Sequence, residues 1–149
     1  MFVELMSWLK APEPEVGVPD DLRLAVAVLL VEAAHMDDNF SPDERAVIER
    51  LLKEKFELTN EDAQQLLSLS ESTVARATQL WTYTRTCFTQ MDPDQRLHVI
   101  EMLWEVVYSD GVLDPEEDLL VRRIATLIYI EDRERIYARQ RVLSRLKRN

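Results

Sequence analysis

Two stretches decide the fold: Leu30–Arg45, LVEAAHMDDNFSPDER, and Leu103–Asp118, LWEVVYSDGVLDPEED. They align without a gap at an offset of 73 residues. Glu32 matches Glu105, Asp37 matches Asp110, Pro42 matches Pro115 and Glu44 matches Glu117. The flanks agree in character, with Val26 opposite Val99, Ile48 opposite Val121 and Leu51 opposite Ile124. A repeat at fixed spacing marks a duplicated structural unit. Each copy reads as helix, loop, helix. Two such hairpins are expected to pack about a pseudo-two-fold axis, bringing the matched loops or helix ends together.

Working outward, the remaining segments are also helical. Asp20 or Asp21 after Pro19 offers a cap for a helix to about Met36. Ser41, Pro42 and Glu44 are an N-cap, a proline at the first position and a capping-box glutamate. That helix runs to about Phe56. Thr59 caps a helix holding Leu66, Leu67 and Leu69, and another spans about Ser72 to Phe88, carrying Val74, Leu80 and Trp81, with the tryptophan reading as core. Asp92-Pro93 opens a helix to about Tyr108, Asp114-Pro115 one to about Tyr129, and the last runs from about Asp132 to Lys147. No segment alternates as a strand does. The expectation is an all-α compact bundle of seven or eight helices. Residues 1–19 form an N-terminal helix and a proline-rich linker. Residues 20–149 form the helical domain, with repeat copies at about 20–56 and 93–129.

Composition narrows the chemistry. The chain has 149 residues, 28 acids against 18 Lys and Arg, and a net charge of −10. A body so acidic is a poor match for nucleic-acid phosphates. Two glycines, Gly17 and Gly111, exclude a glycine-rich phosphate loop. One cysteine, Cys87, excludes internal disulfides and cysteine metal sites. No signal peptide is visible, and the apolar run Leu24–Ala34 is too short to span a bilayer. A cytoplasmic protein is expected. Residues 133–149 carry seven bases and one acid, leaving −16 on residues 1–132. Ile136, Leu143 and Leu146 are placed to pack inward, so the basic tail reads as a helix docked on the acidic body. The sharper alternative is a contact for an anionic partner or a membrane surface.

The matched acids are the candidate site. Glu32 is the one polar residue between Leu24 and Ala34, and Glu105 sits among Met102, Leu103, Trp104, Val106 and Val107. Both lie in the last turns of their helices, where the macrodipole disfavours a carboxylate. Something cationic must offset them. Arg45, Arg122 or Arg123 would do so as ion pairs, and a metal ion would do so as a site. Glu44 and Glu117 also fit capping boxes, and Asp37 and Asp110 also fit turns after a helix. An EF-hand is excluded, because Pro42 stands where that loop needs glycine and Ile48 where it needs glutamate. The all-oxygen set Glu32, Asp37, Glu44, Glu105, Asp110 and Glu117 favours Ca²⁺, Mg²⁺ or Mn²⁺. A Glu-x-x-His pair occurs once, Glu32 with His35, where a di-iron bundle needs two. No nucleophile–base set is apparent, and Cys87 reads as packing.

These residues resemble a known family. Met91–Ile130, with Glu105, Asp110-Gly111 and Glu117, is similar to the core of the TerB-like tellurite-resistance family. The first copy, Glu32, Asp37 and Glu44, matches with Asp38 where the family often has glycine. The resemblance covers about residues 20–131. It implies an all-helical, pseudo-symmetric domain whose central acids take a divalent metal, with no enzymatic activity. It also implies a stress-response or envelope-associated complex, hence a protein partner and peripheral association with the inner membrane face. A related domain precedes membrane-anchored DnaJ-like co-chaperones, but no His-Pro-Asp signature occurs here.

Overall fold

The apolar run LAVAVLLV in α1 (Asp20–Ala34) is buried on every side: Ala25 through Val31 are at most 2% exposed. A helix apolar all round belongs in an interior. The computed structural model describes residues 20–34, 41–76, 80–109 and 115–148. Among them are seven helices and no strand. After α1 come α2 (Pro42–Phe56), α3 (Asn60–Arg76), α4 (Leu80–Gln90), α5 (Pro93–Val107), α6 (Pro115–Leu127) and α7 (Asp132–Arg148). The N-terminal segment 1–19 lies outside the described residues, and so do both repeat loops at 35–40 and 110–114.

α1 is the hub and packs on α2, α3, α4, α5 and α6. α5, its counterpart in the second copy, packs on α1, α2, α6 and α7. The cross-contacts α1–α6 and α2–α5 are the reciprocal pair that a two-fold arrangement requires. The duplicated unit is larger than the two helices expected. α3 packs on α1 and α2 as α7 packs on α5 and α6. α2 ends at Glu57 (φ 53°), and α6 is followed by Tyr129 (φ 61°), both left-handed. The amide of Leu58 bonds to Lys53 O at 3.1 Å, and that of Ile130 to Ala125 O at 2.8 Å. These closures are 72 residues apart, so the second copy loses one residue at the end of its middle helix. α4 joins the two three-helix units.

Local sequence explains the helix starts. The Glu44 amide donates to Ser41 Oγ at 3.1 Å, and the Ser41 amide donates to Glu44 Oε1 at 2.9 Å. α5 has the same box built from Asp92 and Gln95, at 2.9 and 2.8 Å. Thr59 Oγ1 accepts from the Asp62 amide at 3.1 Å and caps α3. Asp21 lies inside α1 and instead accepts from Gln90 Nε2 at 3.0 Å, tying the start of α1 to the end of α4.

Three local expectations are corrected. Ser72–Arg76 continues α3, where the Ser70 and Thr73 hydroxyls donate back to Leu66 O and Leu69 O within the helix, and the next described helix starts at Leu80. Trp81 is not core; it is 54% exposed, with Arg85 5.1 Å above its ring. α7 does face inward, on Arg135, Ala138 and Val142 with Leu143 half-buried beside them, while Ile136 and Leu146 are 41% and 38% exposed. Trp104 is fully buried against α7, donating Nε1–H to Arg135 O at 3.2 Å.

Candidate functional site

The two glutamates that a soluble helix would avoid meet different fates. Glu105 on α5 is held on both oxygens. Oε2 accepts from Arg50 of α2 at 2.8 Å, and Oε1 accepts from Arg145 of α7 at 2.9 Å. One turn earlier, Glu101 accepts from Arg141 at 3.0 Å and from Arg145 at 3.0 Å. The carboxylates are sunken, at 15% and 14% side-chain exposure for Glu101 and Glu105, while the arginines reach in from the surface. Burial alone would lower the Arg50 and Arg145 guanidiniums. The hydrogen bonds and charge of Glu105, joined by Glu101 at Arg145, outweigh it and hold both above their ordinary value.

So the offsetting cations are Arg50 and Arg145, not Arg45, Arg122 or Arg123. Arg45 pairs with Glu71 at 2.6 Å. The signal was present in the sequence as two i,i+4 pairs, Glu101/Glu105 and Arg141/Arg145, on helices that face each other. The same bonds dock the basic tail on the acidic body. Arg139 completes the seam, its Nε donating to Tyr108 Oη at 2.7 Å.

Glu32 is the matched residue on α1, and its surroundings differ. It is half-buried, yet among the described residues it makes no hydrogen bond or ion pair. Repeat symmetry equates Arg50 with Arg123 of α6. Arg123 is exposed and likewise makes no such bond among the described residues. The third helix contributes no cation either, since the residue matching Arg145 is Thr73. The pseudo-two-fold therefore holds for the helices and fails for this charge.

Glu44 and Glu117 occupy matched positions and are both only 2% exposed, beside exposed Asp43 and Glu116. Glutamate is rarely so buried unless paired. Glu44 is in part engaged by the Ser41 amide. Asp37 and Asp110 lie outside the described residues, as do His35 and Gly111. Among the described residues no three acids, histidines or cysteines converge as a metal cluster.

A second polar feature adjoins the Glu101–Glu105 ladder. A groove of about 620 Å³ is lined by Arg50, Glu54, His98, Glu101, Glu105 and Arg145. Lys55 Nζ lies 3.1 Å from His98 Nδ1. Burial lowers the affinity of His98 for a proton, and the neighbouring Lys55 charge lowers it further. Burial lowers Lys55 as well. Burial also pushes the Cys87 thiol up to about 12, so it is not a thiolate at neutral pH.

Comparison with known proteins now bears on this arrangement. The sequence model for tellurite resistance protein TerB matches residues 23–140, most of the chain. A crystal structure of a protein of unknown function from Porphyromonas gingivalis is similar, with a TM-score of 0.62 at 21% identity. The match covers 85% of this chain and 98% of that one. At that identity it establishes a shared fold. No curated protein matches. The matched span runs from within α1 into α7, through both copies of the repeat, and on that basis the chain belongs to the tellurite resistance protein TerB family.

Proposed function

We propose that this TerB domain is a non-enzymatic module that binds a divalent cation on the repeated acids and serves a tellurite- or stress-response complex with a protein partner. Glu32 carries the reading. A half-buried carboxylate at a helix C-terminal end is costly without a cation, and its counterpart Glu105 has two. Glu105 itself does not fit a cation, because both oxygens already accept from arginine. The set is thereby narrowed to Glu32, Asp37, Glu44, Asp110 and Glu117, all hard oxygen donors suited to Ca²⁺, Mg²⁺ or Mn²⁺. A bound ion would neutralise these acids and fix the ends of α1 and α5.

The test is calorimetric titration of metal-stripped protein with each ion. Heat should accompany binding, Glu32→Gln should abolish it, and Glu105→Gln should leave it. No heat and no thermal shift with any ion would refute it. A second reading, a metal-free interaction domain whose acids are caps and ion pairs, is favoured by the Ser41–Glu44 box and the arginine-clamped Glu101 and Glu105. Under it, Glu32→Gln leaves the ion response at zero. We place the module on the cytoplasmic side, reaching the inner membrane face through its complex. Among the described residues no helix is long and apolar enough to cross a membrane.

A further inference from the structure

α4 and α6 carry a local charge opposite to that of the whole chain. Residues 80–91 and 119–130 hold Arg85, Arg122 and Arg123 and no acid, in a chain of net charge −10. The two helices pack together, and a groove of about 560 Å³ runs between them. Trp81, Arg85, Phe88, Thr126, Leu127 and Tyr129 are on its walls, and Arg85 is the one charged residue among those described there. Arg122 is exposed one turn before Thr126, on the same side of α6, as Arg123 is before Leu127. Acids stand at the borders. Asp92, Asp118 and Glu131 directly flank the two segments, and Asp21 accepts from Gln90 Nε2 at 3.0 Å.

The apolar groups of the groove are exposed yet held in place. Trp81 is 54% exposed and Tyr129 72%. Arg85 lies 5.1 Å from the Trp81 ring centre. Phe88 packs on Tyr129 at 4.7 Å and on Arg96 at 4.8 Å, and Arg96 is pinned by Nη1 donating to Ile128 O at 2.7 Å. Tyr129 has a left-handed backbone, which favours glycine or asparagine and is costly for a bulky side chain. Strain of this kind clusters at functional positions.

We propose that this groove docks an acidic segment of a partner protein, with its apolar side chains on Trp81, Phe88 and Tyr129 and its carboxylates on Arg85 and Arg122. The inference rests on the protein partner of the proposed function and is independent of its cation. Exposed tryptophan, tyrosine and arginine in a recess are the residue types that anchor interfaces. The Thr84, Thr89 and Thr126 hydroxyls donate to carbonyls of their own helices, so the arginines supply the donors a carboxylate needs. A second copy of this chain is the poorer occupant, because a two-fold contact sets the patch on itself, arginine against arginine. A recess between two helices also suits inserted side chains better than it suits a bilayer surface.

Selection of a random dodecapeptide library on the metal-stripped full chain tests the proposal. Enriched peptides should combine Asp or Glu with aromatic residues or leucine. The most enriched one, made with a fluorescent label, should bind at least tenfold more weakly to the Arg85→Glu, Arg122→Glu double variant and to Trp81→Ala. All these positions are exposed, so helical circular dichroism and melting should be unchanged. Replacing the acids of the peptide by lysine should restore binding to the double variant and abolish it with the original chain. Absence of an acidic consensus, or equal affinity for the variants, would overturn the proposal. A consensus peptide that binds elsewhere would keep the protein partner and remove this surface. Self-association, or binding to phosphatidylglycerol vesicles, that Trp81→Ala abolishes would give the face to a second copy or to a membrane and overturn it too.

Discussion

Glu32 and Glu105 occupy the same place in two copies of one unit, so the same substitution at each isolates what the arginines do. Glu105→Gln removes the charge facing Arg50 and Arg145 and keeps the shape. The carboxylate is 14% exposed, whereas the arginines are 49% and 44% exposed. A surface pair is worth about 0–1 kcal/mol and breaking a buried one costs about 3–5 kcal/mol. This mixed case falls between, and the residual amide hydrogen bonds pull it toward the lower limit. We expect a loss of about 1–2 kcal/mol. For a chain of this size that is a fall in Tm of roughly 3–6 °C. Glu32→Gln, with no arginine bond to lose, should in metal-free protein change stability by less than about 0.5 kcal/mol or raise it. Urea melts followed by circular dichroism measure both, at low and at high salt. The Glu105 penalty should shrink with salt, because the arginine side of each pair is solvated. Equal penalties at the two positions, or a neutral Glu105→Gln, would refute the assignment of Arg50 and Arg145 as the compensating charges.

Three further outcomes follow from the structure. Ser41→Ala removes the acceptor of the Glu44 amide and should cost about 1 kcal/mol in a denaturant melt. His98 has a lowered proton affinity in the folded state, so the unfolded chain binds more protons there as the solution acidifies. Stability should be retained above about pH 6.5 and decline below it, and His98→Gln should flatten that slope in pH-dependent melts. Cys87 is buried with its thiol pushed up to about 12, so iodoacetamide should label it at pH 8 only as fast as the chain unfolds. Labelling at the rate of a free thiol would contradict that placement.

Much of the fold was legible because the signals were local. The capping boxes at Ser41 and Asp92, the cap at Thr59 and the all-apolar α1 are written in residues a few positions apart. The duplication was legible for α1–α2 and α5–α6, where the match is gapless. It was lost at the third helix because one residue drops out near Tyr129 and because α3 and α7 share burial rather than residue type. Ala63 and Ser70 occupy the places of Arg135 and Val142. The site was less legible. That Glu105 needed a cation followed from its apolar neighbours, but which arginines supply it depends on how α2 and α7 cross α5. That is tertiary geometry, with Arg50 lying 55 residues away in sequence. Trp81 misled for a related reason: helical spacing names a face, and only the neighbours decide whether that face is covered.

The hub position of α1 has a consequence for how the chain is assembled. Its surface is divided between its own unit, through α2 and α3, and the connector and second unit, through α4, α5 and α6. When the first 76 residues leave the ribosome, half of that surface still lacks its cover. The missing cover is a helix of the same length in a unit of the same design, since α1 and α5 are each 15 residues long and pack together. A second nascent chain carries an equivalent helix. Early exposure therefore favours pairing between identical halves of neighbouring molecules, and the covalent link through α4 is what makes the internal partner the faster one.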